Sequence, residues 1–281
     1  MRLKQSGAEG KLWPTQYGFR PKHGTHDAIF VTRRLIEQCY NSGDHSIVLL
    51  ALDWSKAFDS IDPLSLIHAL RRFGLSDKFL DAIAAIYSNR RFCVADGGCV
   101  SSVHEQRFGI SQGCLLSPFL FVMVMTVLLE DANEQLMSEY GITLSEDLVC
   151  HELVYADDTL LIESVASNLQ SYMECIAACG RTYGLQLNWK KVEQMTINGE
   201  HEILYDAEGQ PIAHKDSLKY LGAQLASDGH IESEIAQKLG RASQDFKILM
   251  RLWNHCNVSV RFKFIVFTAC IVQRLLYSPE G

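Results

Sequence analysis

Three short apolar runs in this chain stop at acidic residues, and that arrangement limits the folds open to it. The stretch HSIVLLALDW is a continuous apolar run of buried-strand length that delivers Asp53 just as it stops. Further on, ELVYADDTLLIES reads as two short strands joined by a tight acidic turn, which sets Asp157 and Asp158 at a hairpin tip. An apolar run without alternation belongs in a sheet covered on both faces. If these strands pair, three carboxylates converge at one end of that sheet. Taken singly, an acidic turn is usually a solvated turn, and an Asp after a strand is often a helix cap. Converging carboxylates raise one another's pKa, a conflict that a hard divalent cation removes by taking oxygen ligands. Two such ions about 4 Å apart can activate an attacking hydroxyl and stabilise the leaving oxygen in phosphoryl displacement.

The elements around these runs are mixed. A helix from Thr25, with Thr25 as its cap, carries Ala28, Ile29, Thr32, Leu35, Ile36 and Cys39 on one face and ends before Asn41-Ser42-Gly43. Asp62-Pro63 and Ser117-Pro118 each pair a cap with a first-turn proline, and Ser76 caps a helix through Tyr87. RFCVADGGCVSSVHEQRF reads as a hairpin around Asp96-Gly97-Gly98. Ser167 with Gln170 forms a capping box for a helix ending at Gly184, and strands follow over 185–197 and 201–220. From Ile231 the tail is helical, with Ile235, Leu239, Phe246 and Leu249 spaced for one packed face. Central strands with helices packed on them describe an α+β fold.

Composition excludes some classes. The longest apolar run, FLFVMVMTVLL, is shorter than the roughly 20 residues of a membrane span and reads as a buried helix. No secretory leader precedes it, so an intracellular location is expected. Nine cysteines without a Cys-x-x-Cys pair point to reduced thiols, and neither phosphate-binding glycine motif occurs. A net charge of -7 runs against nucleic-acid binding, which usually goes with a basic surplus. Local basic clusters include Arg90, Arg91 and Arg107, then Lys190 and Lys191, each read by default as a solvated face.

Five stretches occur in a telling order: QYGFRPKHGTHDAIF from Gln16, LDWSKAFDSID from Leu52, ISQGCLLSP from Ile110, YADD from Tyr155 and GLQLNWKK from Gly184, with a weaker KYLG at Lys219. Together they resemble the reverse transcriptase domain of non-LTR retrotransposons. The resemblance implies a right-hand polymerase: partial fingers over 1–44, a palm with inserted finger elements over 45–217, and the start of a mostly helical thumb over 218–281. It also implies more finger sequence upstream and more chain downstream than this sequence carries.

By that resemblance, Asp53 and Asp157 are the principal metal ligands for two Mg²⁺ ions, with Mn²⁺ a substitute, and Asp158 is a weaker or indirect partner. Phe58 lies under the incoming sugar and disfavours a 2′ hydroxyl, with simple core packing as the alternative. Gln112 and Gly113 pass close to the nascent base pair; Leu115 stands where the family commonly has proline. Tyr155 steadies the primer end or packs on a helix. Lys191 matches a lysine that protonates the departing pyrophosphate, an assignment that Lys190 leaves open. Arg20 and Lys22 are candidates for triphosphate or template contact, with a surface role equally open. Asp59 is structural or capping. The implied activity is RNA-directed DNA polymerisation from a nucleic-acid primer on an RNA template with deoxynucleoside triphosphates. The alternatives are a truncated, inactive retroelement fragment that retains only nucleic-acid binding, and an RNA-copying RNA polymerase, which YADD and Phe58 fit less well.

Overall fold

The computed structural model describes residues 7–43, 45–144 and 148–276, so the ends of the expected fingers and thumb segments, 1–6 and 277–281, lie outside the described residues. Five strands make the central sheet: β1 (Ile47–Leu52), β2 (Glu152–Tyr155), β3 (Asp158–Glu163), β4 (Glu193–Ile197) and β5 (Ala213–His214). Their order is β2-β3-β1-β4-β5. All neighbours are antiparallel except β4 and β5. The Asp53 run is thus the middle strand, and both its faces are covered, as its unbroken hydrophobicity predicts.

Alternation along β1 divides the core. Val48, Leu50 and Leu52 face one cluster, which holds Leu161, Phe121 and Tyr172, while Ile47 and Leu49 face a second with Leu160, Ile162 and Met195. The first face is covered by α2 (Pro63–Phe73), α3 (Asp77–Tyr87), α4 (Ser117–Gln135) and α5 (Ala166–Thr182). Every residue from Leu120 to Leu129 of α4 is buried, so this helix is the apolar centre of that layer. Burying each such Leu, Val or Phe side chain contributes about 1.5–3 kcal/mol before the cost of ordering the chain. The second face is covered by α1 (Thr25–Ser42) and by the hairpin of β6 (Ser217–Tyr220) and β7 (Ala223–Ala226). The buried residues of α1 are Ala28, Ile29, Thr32, Leu35, Ile36 and Cys39, the face expected from periodicity.

Several local expectations are corrected. Gly24, not Thr25, is the N-cap of α1, because Asp27 reaches back to accept from the Gly24 N–H at 2.7 Å. The Asp62 cap is present and accepts from the Ser65 N–H, but Ser76 makes no side-chain cap bond. Ser117 lies inside α4, and its hydroxyl donates to the Ser111 carbonyl instead of capping. The Ser167–Gln170 capping box does not form: Val165 is the N-cap, and Gln170 bonds Glu174 and the Tyr205 backbone. Residues 185–197 are strand only from Glu193, since Trp189–Lys191 form a single 3₁₀ turn. The DGG hairpin is present as two short pairings, Arg91–Phe92 with His104–Glu105 and Ala95–Asp96 with Cys99–Val100.

The tail forms α6 (Glu232–His255) and α7 (Val260–Phe267). Its expected packed face is packed only in part: Ile235 and Leu239 are exposed, whereas Leu249 is half-buried and Phe246 meets Trp253 and Phe267 edge-on, and the buried residues of α6 are Glu234 and Ala242. Among the described residues, no helix is long and apolar enough to cross a membrane.

Candidate active site

The acidic turn is the two-residue loop of the β2–β3 hairpin, with Tyr155 paired to Asp158 across it. Ala156 and Asp157 form the tip, and Asp158 opens β3. Ala156 has φ +59°, a left-handed conformation unusual for a residue with a Cβ, at a cost of roughly 1–2 kcal/mol. Hairpin loops of this length ordinarily place Gly, Asn or Asp where φ is positive. The strain is therefore maintained by neighbours, and it is located at the residue before Asp157.

Asp53 arrives by a different route. β1 pairs with β3 in a register that sets Leu52 opposite Thr159, so the next residue along β1 meets the start of β3 and its carboxylates. Beyond β1 the chain keeps pairing, now with the segment before β4: the Asn188 N–H donates to the Asp53 carbonyl at 2.7 Å and the Ser55 N–H to the Gln186 carbonyl at 2.8 Å. That pairing brings Lys191 to the site, where its Nζ lies 3.3 Å from Asp53 Oδ1. Both side chains are partly open to water, so this ion pair adds little stability.

The carboxylates sense one another. Burial raises the Asp157 carboxyl above its ordinary pKa, and the charge of Asp53 adds to the rise, against a backbone hydrogen bond that lowers it. Asp158 is also raised, first by desolvation and then by the charges of Asp157 and Asp53. Among the described residues, no three His, Cys, Asp or Glu side chains are gathered into a ready-made metal cage. The oxygen-only donor set and its mutual repulsion fit a hard cation, whereas the Lys191 ammonium beside Asp53 competes for the same carboxylate and would have to yield it to a bound ion.

The other expected residues fall into two groups. Phe58 sits in the one-turn helix Ala57–Ser60, half-buried, with its ring stacked on Phe121 at 4.4 Å and edge-on to Phe19 at 6.5 Å. Tyr155 is half-buried and packs against the same core. The loop bearing Gln112 and Gly113 is tied to this corner: the Ile110 N–H donates to the Phe58 carbonyl at 2.6 Å, and Gln112 Nε2 donates to Asp59 at 3.2 Å. Gly113 has φ +82° and open space around it, so the turn itself favours glycine and the backbone is free to be approached from outside. Asp59 has the structural part expected of it. Arg20, by contrast, is turned inward: its Nη1 donates to the carbonyls of Trp13, Pro14 and Gln16 at 3.1–3.2 Å. Its geometry is that of a loop clamp.

Two supporting residues were not legible as such in the sequence. Arg90, grouped there with solvated basic residues, is half-buried over the Tyr87 ring at 4.5 Å and donates to Ser111 Oγ at 2.8 Å, bracing the Gln112 loop. Gln16, part of QYGFR, is buried beside the hairpin tip and accepts from the Ala156 N–H at 3.0 Å. A resemblance in the motif marked Gln16; no local signal marked Arg90.

Comparison with known proteins identifies the chain's family. The family described as reverse transcriptase (RNA-dependent DNA polymerase) matches residues 1–225. The Pol polyprotein from the type-1 retrotransposable element R2 of Popillia japonica is 28% identical over 70% of this chain and 32% of its own length. A probable RNA-directed DNA polymerase from transposon BS of Drosophila melanogaster is 25% identical over 99% of this chain and 31% of its own length. The chain thus spans about a third of the length of these relatives. Among solved structures, apo telomerase from Candida tropicalis, truncated from its C-terminal domain, superposes with a TM-score of 0.56 at 13% identity, over 80% of this chain and 43% of the other. That likeness concerns the fold, a right-hand polymerase. With the family match covering most of its length and the motifs in family order, the chain belongs to the reverse transcriptase family, of the kind carried by non-LTR retrotransposons.

Proposed function

We propose that this chain is the catalytic domain of a retrotransposon RNA-directed DNA polymerase, adding deoxynucleotides to a primer 3′ end on an RNA template. One observation carries the reading: Asp53, from the central strand, and Asp157, from the strained hairpin tip, meet at the same end of a rigid sheet. Asp53 and Asp157 would hold two divalent ions, Mg²⁺ or Mn²⁺, with Asp158 as the weaker partner. When bound, such ions lower the pKa of the primer hydroxyl and neutralise charge on the triphosphate. The residues of the chain supply positioning, which accounts for much of the acceleration in phosphoryl transfer.

Lys191 beside Asp53 is set to reach the departing pyrophosphate as a proton donor. Lys190 shares the exposed turn but makes no contact with Asp53 comparable to that of Lys191. The Phe58 ring, braced by Phe121, supports the incoming sugar and resists a 2′ hydroxyl by bulk, because a stacked ring in a packed corner cannot yield space. Gln112 and Gly113 offer an open backbone to the nascent base pair, and Tyr155 steadies the primer end. Arg20 reaches the triphosphate only if it releases its loop carbonyls, so its contribution is through loop shape. Nine free cysteines accord with a reducing, intracellular setting in which nucleoside triphosphates are available.

The test is primer extension on an RNA template with Mg²⁺. Asp157→Asn is expected to lower synthesis by about 1000-fold, equivalent to about 4 kcal/mol of transition-state stabilisation, while leaving thermal unfolding intact. Undiminished synthesis in the variant would refute the site. Failure of the wild-type chain, with activity in a longer one, would favour a fragment that only binds nucleic acid.

A further inference from the structure

We infer that Gln16 is a positioning residue that holds the hairpin tip in the shape that presents Asp157; the inference rests on the catalytic reading of that carboxylate. Gln16 is 1% exposed and lies 140 positions from the tip in sequence. Its Oε1 accepts two backbone N–H groups, from Gly18 at 2.8 Å and from Ala156 at 3.0 Å. Two donors converging on one atom require that atom to be the amide oxygen, which settles the side chain's orientation.

The backbone delivers this carboxamide to the tip. The Val154 N–H donates to the Thr15 carbonyl at 3.0 Å, the Tyr17 N–H donates to the Val154 carbonyl at 2.7 Å, and Gln16 bridges Val154 in parallel. Residues 15–17 therefore run along β2 and end level with its turn. Gly18 completes the fit, since a Cβ there would lie 2.4 Å from the Ala156 nitrogen. Ala156 is the residue held at positive φ, and its N–H is the group that Gln16 engages.

Packing alone does not explain a glutamine here. Its Nε2 is buried and makes no hydrogen bond among the described residues, a cost that leucine or methionine would avoid. The two bonds to Oε1 are what the amide supplies. Without them, the Ala156–Asp157 turn is free to relax toward a conformation that suits alanine, and the Asp157 carboxylate moves with it.

The experiment compares Gln16→Leu, Gln16→Glu and Gln16→Leu combined with Ala156→Gly in the whole chain, with thermal unfolding to establish that each variant is folded. Backbone hydrogen exchange reads the tip, Mn²⁺ titration by electron paramagnetic resonance reads the carboxylates without substrate, and primer extension separates kcat from KM. Gln16→Leu is expected to speed exchange at 155–158 at least tenfold, weaken Mn²⁺ binding about fivefold, and lower kcat about thirtyfold with KM for the triphosphate nearly unchanged. Gln16→Glu retains the acceptor and should keep the exchange protection. Adding Ala156→Gly, which adopts positive φ without outside help, should recover part of the Mn²⁺ affinity and of kcat.

Unchanged exchange at the tip in a folded Gln16→Leu variant would overturn the inference. So would equal losses of Mn²⁺ affinity in the single and double variants, because the damage would then lie elsewhere. If wild type and Asp157→Asn extend primers equally, the catalytic reading falls, and the exchange comparison alone upholds or overturns the hold of Gln16 on the tip.

Discussion

β1 and α6 are both rich in apolar residues, yet Leu49 and Leu50 are fully buried, whereas Ile235 and Leu239 stand 46% and 53% exposed. β1 lies between two paired strands and two covering layers, so every side chain along it meets a partner from a distant part of the chain. α6 carries the same kind of residues at helical spacing, but within the described residues Phe246 meets only Trp253 and the nearby Phe267 ring-on-ring, and Ile235 and Leu239 stay largely open. Periodicity in a sequence reports that a face exists; it does not report that the covering partner is present. The carboxylates proposed as catalytic grow from the first kind of region, where the backbone that carries them has little freedom to drift.

The contrast is open to direct challenge by substitution, read through urea unfolding. Leu50→Ala at the sheet centre should cost about 3 kcal/mol or more, since no neighbour in a closed core can fill the space. Glu152→Gln tests the polar part of the same core. This buried carboxylate accepts from Trp13 Nε1 at 2.7 Å, Thr15 Oγ1 at 3.0 Å and Tyr172 OH at 3.1 Å. Desolvation nonetheless dominates and raises its pKa above the ordinary value.

The sign follows from linkage. A carboxyl raised in the folded state contributes stability that is fully present below its unfolded pKa and lost as pH rises through its higher folded pKa. Wild type should therefore lose stability relative to Glu152→Gln as pH climbs from about 4 through that range, by about 1.4 kcal/mol for each unit of elevation. A flat difference between the two would show the carboxylate to be fully compensated. Leu239→Ala on α6 comes last, with an expected change under about 0.5 kcal/mol. A cost there comparable to that of Leu50→Ala would erase the distinction between the two regions.

Much of the sheet was legible in the sequence because burial on both faces writes an unbroken apolar run, and the two-residue acidic turn has only one short way to fold. The buried face of α1 was legible for the same reason, since Ala28 through Cys39 keep one period and meet one sheet. The misreadings share a cause. Ser117, Ser167 and Gln170 have the right chemistry for caps, but each found a better partner or place in three dimensions, at Ser111, inside a helix, or at Glu174 and Tyr205. Lys191 was expected on a strand and lies on a turn, yet the turn is what swings its Nζ to Asp53. Arg90 reads as surface charge and Arg20 as a triphosphate or template contact or a surface residue, because nothing local reveals that a guanidinium will be claimed by loop carbonyls.

The course of residues 15–17 along β2 bears on how the molecule may be cut. β2 is the last strand of the sheet, and the N-terminal segment occupies hydrogen-bonding groups on its outer side. A piece beginning at residue 45 would keep all five strands and both carboxylate-bearing elements, yet leave that side bare. An unpaired strand margin is a template for other chains, so such a piece is set to self-associate along β2, next to the turn that carries Asp157. Residues 15–17 thus finish the margin of a sheet whose own strands begin only at Ile47.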